Sequence, residues 1–333
     1  MPLAAKWVPP EEQSMFMTTL ASSAIGISLA SHISGILIPK FGWQSVFYIT
    51  GSMSLFWSLI WFYLIYDSPQ QHPRISHKEK QLLENTTRKN VNAHLKKKFG
   101  EIPWKEILTS KPVYAIVFAQ ISNFVATMII LTQLPSYLDQ VFQYNMKEIG
   151  LFSGLPTWGC YFSGLFCAYW ADRLLKTHKL STTAVRRIFG GIPLVVPAIC
   201  MMIVALWGNI ASLVIISFFI TITASGSASA GHCANIIDIS PNFAGTICGL
   251  VNGLGAFGVY FATQLVAVLL RSRHDFETWR YLFWVLFGML SCGSTVYLLL
   301  CSGKLQSWDS AKSKDDIVQQ ETEMLACKSN NIF

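Results

Sequence analysis

Charge is what this chain of 333 residues has least of: 13% of its residues are Asp, Glu, Lys or Arg, against 52% apolar and 13% aromatic. An ordinary soluble domain carries roughly twice that share of charge. The scarcity excludes a soluble fold and points to an integral membrane protein. Enzyme signatures are missing as well. There is no H-E-x-x-H, no G-x-S-x-G, no pair of intramembrane aspartates and no cofactor motif, so neither catalysis nor a bound cofactor is expected. The eight cysteines form no C-x-x-C pair and no zinc-like spacing, which leaves no metal site in view. Cys160, Cys167, Cys200, Cys233, Cys248, Cys292 and Cys301 fall in apolar runs and read as small reduced side chains, while Cys327 sits in a polar tail. The opening M-P-L-A-A-K-W-V-P-P-E-E lacks the layout of a signal peptide, so insertion is expected to begin with the first apolar run.

Apolar runs long enough to cross a bilayer occupy residues 15–38, 44–66, 112–134, 149–171, 187–207, 210–236, 243–270 and 280–301, giving about eight transmembrane helices. Trp43, Tyr48, Trp61, Tyr63, Tyr66, Trp207, Trp279 and Tyr281 mark their ends, as rings at headgroup level do. The formal charge of +7 comes from 25 Lys and Arg gathered in a few connecting stretches, which reflects topology and excludes nucleic acid as a partner. Twenty of them fall on the side that holds residues 1–14, 67–111, 172–187, 237–242 and the tail, against five on the other. The positive-inside rule then puts both termini in the cytosol.

The stretch 67–111 is the one long polar interruption. In it Ser76-x-x-Glu79 forms a capping box that opens a short helix, and Lys96, Lys97 and Lys98 are open either to anionic headgroups or to plain solvation. Asn85 begins the only N-x-S/T triplet and should remain unglycosylated in the cytosol. The chain divides accordingly into residues 1–66 with two helices, a central cytosolic loop 67–111, a six-helix unit 112–301 and a polar tail 302–333 without clear chemistry.

The richest stretch runs from Ala224 to Gly255. Small residues alternate up to His232, Asn235, Asp238 and Pro241, and Gly245, Gly249 and Gly253 follow at four-residue spacing. That spacing aligns three glycines on one helical face, where a neighbouring backbone can approach. Polar groups among glycines in a lipid-soluble chain suggest a moving part.

Ordered short motifs now add a resemblance. W-V-P-P-E-E-Q-S from Trp7, F-G-W-Q-S-V-F-Y-I-T-G-S from Phe41, D-S-P-Q-Q-H-P-R-I-S-H-K-E from Asp67 and S-K-P-V-Y-A-I from Ser110 open the series. L-P-S-Y-L from Leu134, S-G-L-P from Ser153, A-D-R from Ala171, L-S-T-T-A-V-R-R from Leu180, N-I-I-D-I-S-P from Asn235 and G-L-V-N-G from Gly249 continue it. Together they resemble the anion:cation symporter family of the major facilitator superfamily, the family of sialin, the vesicular glutamate transporters and the type I sodium–phosphate cotransporters. The resemblance implies an all-α membrane protein with the major facilitator fold, its helices matching the fifth through twelfth of the family. It further implies a secondary transporter of inorganic phosphate or small organic anions in a plasma, vesicular or lysosomal membrane, driven by sodium or protons through alternating access. The family's first four helices, which carry basic and acidic site residues, have no counterpart here. A partial gene model and a shortened isoform that regulates a full-length relative are the two explanations.

Within that frame Gln120 and Asn123, with Gln133, are polar amides on the third span that need partners or a watery cavity. The vesicular glutamate transporters have an arginine aligned with Asn123, so the resemblance makes glutamate the weaker substrate. His232, Asn235 and Asp238 follow one another on one drifting helical stripe, where a histidine beside an acid can relay a proton. Asn252 and Gln264 are polar positions on the seventh span, whereas His32 reads as a packing residue. These six, Gln120, Asn123, His232, Asn235, Asn252 and Gln264, are the candidate substrate contacts. Asp172 and Arg173 resemble the superfamily's loop latch, and Asp238 is expected to cap the helix beginning near Asn242 and act as a gate. Pro193 and Pro197 are expected to kink the fifth span. The first span has no G-x-x-x-G-P-x-x-G-G antiporter pattern, which favours symport.

Overall fold

In a bilayer every backbone N–H and C=O must be satisfied within its own segment, and long apolar runs therefore become helices. The computed structural model describes residues 23–66, 75–76, 102–177, 180–269 and 276–310. The box at Glu79, Asn85, Lys96 to Lys98 and the end of the tail lie outside the described residues. The helices are α1 (Ser23–Phe41), α2 (Gln44–Leu64), α3 (Trp104–Thr109), α4 (Lys111–Phe142), α5 (Met146–Lys176), α6 (Thr182–Trp207), α7 (Ala211–Ser225), α8 (His232–Ile239), α9 (Ala244–Leu269) and α10 (Phe276–Leu300). Among the described residues six helices are long and apolar enough to cross a membrane, with Ala211–Ile239 counted as one. The other two expected runs are α1 and α5, of 19 and 31 residues.

Local chemistry fixes the helix ends. Asn145 and Glu148 form a reciprocal capping box at the start of α5, and the Ser181 hydroxyl accepts the Ala184 N–H at the start of α6. Gln143 closes α4 in the left-handed conformation at φ 54°. The core gathers on α4, α6, α7 and α10 around Tyr137, which is 1% exposed. Its ring meets Phe218, Trp279 and Phe283 edge-on, and its hydroxyl donates to the Gly208 carbonyl at 2.8 Å.

α1 crosses α5 at a glycine contact. A Cβ added at Gly150 would stand 2.9 Å from the Gly35 Cα and from the Ser31 carbonyl. The Ser28 hydroxyl donates to the Gly154 carbonyl at 2.8 Å, and His32 Nδ1 meets the Ser28 carbonyl at 2.7 Å, in keeping with a packing role. The glycine ridge on α9 faces open space. Apart from the neighbouring backbone of α9 itself, no described atom lies within 4 Å of a Cβ placed at Gly245, Gly249 or Gly253. α2 likewise buries none of its residues and packs chiefly on α1.

α6 runs unbroken through Pro193 and Pro197, and the discontinuous span is the next one. α7 gives way to a 3-10 turn at Gly226–Ser229 before α8 resumes at His232. Here the Ser225, Ser227 and Ser229 hydroxyls return to the carbonyls of Ile222, Ala224 and Gly226, competing with the helix ladder. Gly231 follows, and its Cα packs directly on the Gly190 backbone of α6, with no room for a side chain. The break thus has a cause in sequence: serines that bond backward, followed by a glycine held between helices.

Candidate functional site

Because α8 starts after this break, His232 sits at its first position, on the side facing α4. The imidazole is fully buried. Its Nε2 lies 2.9 Å from Gln120 Oε1, and Gln120 Nε2 donates to Asn252 Oδ1 at 3.0 Å. With the Gln120 amide nitrogen committed to Asn252, its oxygen is the acceptor, which assigns the imidazole proton to Nε2. Asn252 Nδ2 continues to Cys248 Sγ at 3.3 Å, and the Cys233 thiol lies 3.9 Å from Gln120 Oε1. A polar chain therefore links α8, α4 and α9, running from a buried histidine to the exposed side chain of Asn252.

The structure brings together three of the six expected contacts, His232, Gln120 and Asn252, and brings Asn235 close behind them. Asn235 is fully buried one turn along α8 and donates to Cys301 Sγ at 3.5 Å. Two acceptors there have no partner among the described residues, His232 Nδ1 and Asn235 Oδ1. Asn123 is half-buried on the Gln120 side of α4 and makes no side-chain hydrogen bond among the described residues. Gln264 is exposed, three turns or about 18 Å beyond Asn252 along α9, and does not join the cluster. None of these groups carries a formal charge. The sequence reading missed Cys233, Cys248 and Tyr297 as neighbours; the Tyr297 ring stands edge-on to His232 at 6.1 Å.

The three expected gating residues have different surroundings. Asp238 accepts no capping N–H among the described residues. It accepts from Arg186 Nε at 2.5 Å and Nη2 at 3.3 Å, while Nη1 donates to the Ala230 carbonyl at 2.7 Å. Arg186 is 8% exposed, and its own carbonyl accepts the Tyr297 hydroxyl at 2.9 Å. α6, α8 and α10 are thereby fastened at one end. The cap of α9 comes from elsewhere: the Ser240 hydroxyl accepts the Phe243 N–H, and Asp309 accepts from the Ser240 hydroxyl, the Asn242 N–H and the Asn242 amide. Asp309 is 3% exposed, so the segment that follows α10 is a strap across the helix ends rather than a featureless tail. Its other fastenings are Gly303 N–H to the Thr183 hydroxyl, Gln306 N–H to the Ile239 carbonyl and Arg187 to the Cys301 carbonyl. Asp172 is exposed and pairs with no described residue. Arg173 turns to Tyr169 and Trp170 of its own helix, so no latch between helix ends forms there among the described residues.

The Major Facilitator Superfamily profile matches residues 1–263. Sialin of Homo sapiens is 30% identical over 305 residues, which cover 91% of this chain and 60% of that protein. Vesicular glutamate transporter 3 of Danio rerio is 31% identical over 314 residues, covering 94% and 53%. Vesicular glutamate transporter 2 of Bos taurus is 29% identical over 305 residues, covering 91% and 52%. The chain thus spans little more than half the length of these curated relatives.

Proposed function

Because the chain belongs to the Major Facilitator Superfamily and is a multi-pass membrane protein, we propose that it serves in secondary active transport of small anions. Inorganic phosphate and small organic anions such as carboxylates are the substrate classes, with symport by alternating access as the mechanism. The observation that carries this reading is the His232–Gln120–Asn252 chain at a broken span. Discontinuous helices supply substrate sites in transporters, since the positive end of a half-helix favours an anion and free amides can donate to it.

In this reading Asn252 and Gln120 touch the anion, and Asn123 donates to it from the next turn of α4. The Arg186–Asp238 clasp and the Asp309 strap form the gate on the cytosolic side, with both termini in the cytosol. The neutral cluster orients the anion through hydrogen bonds and leaves its charge to other groups. The name of one relative brings glutamate into view, and the neutral Asn123, at the position where the resemblance implies an arginine in the vesicular glutamate transporters, turns the preference toward phosphate or sialate.

Reconstituted protein tested for uptake of phosphate and sialate under sodium and pH gradients should show gradient-dependent flux of one of them. Flux of neither under any gradient would overturn the reading. Asn252→Ala and His232→Ala should each lower flux while protein at the membrane stays constant.

A further inference from the structure

A cavity of about 340 Å³ lies between the start of α4 and the strap, walled by Glu106, Ser110 and Lys111 on one side and by Gln306 and Trp308 on the other. Its wall carries an acid, a base, a hydroxyl and an indole ring. The ion pairs among the described residues are Arg186–Asp238 and Arg280–Glu277, so Glu106 and Lys111 share a cavity with neither charge neutralised there. Ser110 is the N-cap residue of α4 and only 9% exposed, yet its hydroxyl caps no N–H and has no partner among the described residues. A helix of 32 residues thus begins at the cavity without a side-chain cap. That end favours an anion. Lys111, the first residue of the helix, adds a full positive charge. Glu106 supplies the opposite sign from α3, and the Trp308 ring can receive a cation on its face.

We propose that this cavity binds the headgroup of a zwitterionic phospholipid, with the phosphoryl group at Ser110 and Lys111 and the ammonium at Glu106 and Trp308. The two charges of the ligand match the two charges of the wall, and the Ser110 hydroxyl gains the acceptor it lacks. Position favours a lipid over a free zwitterion. The cavity lies where the α4 span begins, beside Trp104 at the start of α3, a ring of the kind found at headgroup level. Leu108 and Tyr114, 48% and 47% exposed, offer apolar surface on the same two helices for acyl chains. An anionic headgroup fits less well, since it sets a second negative charge against Glu106 without a cation between them. Because Trp308 also packs against Phe243, a bound headgroup rests on the segment that Asp309 anchors.

A lipid site of this kind does not depend on the transport reading. Native mass spectrometry of the purified full chain in non-ionic detergent, titrated with dioctanoyl phosphatidylethanolamine or dioctanoyl phosphatidylglycerol, tests it. Both lipids carry the phosphate, and only the first carries the ammonium. Wild type should bind the ethanolamine lipid about fivefold more tightly, the combined effect of one exposed ion pair and one cation–π contact. Glu106→Gln should abolish that preference by weakening the first lipid alone, and Lys111→Gln should weaken both by a similar factor. Both side chains are exposed, and unchanged melting in lipid-free detergent checks that the variants are folded. Equal binding of the two lipids by wild type, a preference that survives Glu106→Gln, or a Lys111→Gln variant that binds both as before overturns the proposal. Full displacement of the ethanolamine lipid by inorganic phosphate also overturns it, since the site would then belong to the free anion.

Discussion

Two ends of α8 stand in contrast. At its start His232 and Asn235 are wholly buried, yet each keeps an acceptor without a donor among the described residues. At its finish the groups are bonded many times over: Asp238 takes two bonds from Arg186, and Ser240 and Asn242 deliver three to the Asp309 carboxylate. The same short helix thus joins a region with unused bonding capacity to one whose polar groups are paired among the described residues. A fully satisfied polar network specifies one arrangement of helices, whereas a partly satisfied one is stable only when something else completes it. The contrast separates the part of the molecule that holds from the part that receives.

The strongest way to break this contrast is at the clasp. Removing one member of a largely buried, hydrogen-bonded pair leaves the other charge uncompensated, at about 3–5 kcal/mol, and Asp238, at 21% side-chain exposure, recovers some of that from solvent. Arg186→Leu should lower the thermal stability of the solubilised protein more than any substitution at the α8 start, and Arg186→Leu with Asp238→Leu should cost less than the single change. Next in size is Asp309. Asp309→Ala leaves the Ser240 hydroxyl and the Asn242 N–H without an acceptor, about 1–3 kcal/mol for groups that stay buried, while Asp309→Asn should retain part of the loss. Limited proteolysis of the strap reports this independently of the helices: Asp309→Ala should speed cleavage between Ser302 and Ser310, and equal rates in wild type and variant would remove Asp309 as the anchor.

The helices were legible because long apolar runs can satisfy their backbone in lipid only as helices; of the eight expected runs, six are helices long and apolar enough to span among the described residues. The clasp was not. Arg186 and Asp238 are 52 residues apart, and an aspartate before Ser240-Pro241 looks like a helix cap whichever partner it has. Asp309 was less legible still, since a lone acid in a polar tail differs from a solvated one only by what folds over it. The site was read in part. His232 and Asn252 stood out as polar residues in apolar runs, but their common partner, Gln120, comes more than a hundred residues earlier. Gln264, equally polar, lies on the same helix as Asn252 and outside the cluster. Polarity marks the candidates, and only packing selects among them.

Effects at the start of α8 should be smaller in stability and larger in function. Gln120→Leu removes the bridge between His232 and Asn252 and leaves the buried His232 Nε2–H without an acceptor, about 1–3 kcal/mol. Flux at subsaturating anion should fall about tenfold while thermal stability moves less than with Arg186→Leu. If Gln120→Leu instead destabilises the protein as much as Arg186→Leu, the two ends of α8 do the same job and the contrast fails.

The smallest effect is expected on the α9 ridge. Four-residue spacing of Gly245, Gly249 and Gly253 has the form of a close helix crossing, but a Cβ at any of the three meets open space, whereas at Gly150 it meets the backbone of α1. Spacing reports that a face is smooth and says nothing of what lies against it. Gly249→Ala in this chain should therefore leave stability unchanged or raise it by up to about 1 kcal/mol, the usual gain of alanine over glycine within a helix. Gly150→Ala, of the same chemistry and in an equally apolar helix, should lower it, because α1 has to move away from α5. A thermal-stability loss at Gly249 to match that at Gly150 would mean that a second surface closes on the ridge in the protein as tested, and the open flank beside Asn252 would then be an interface.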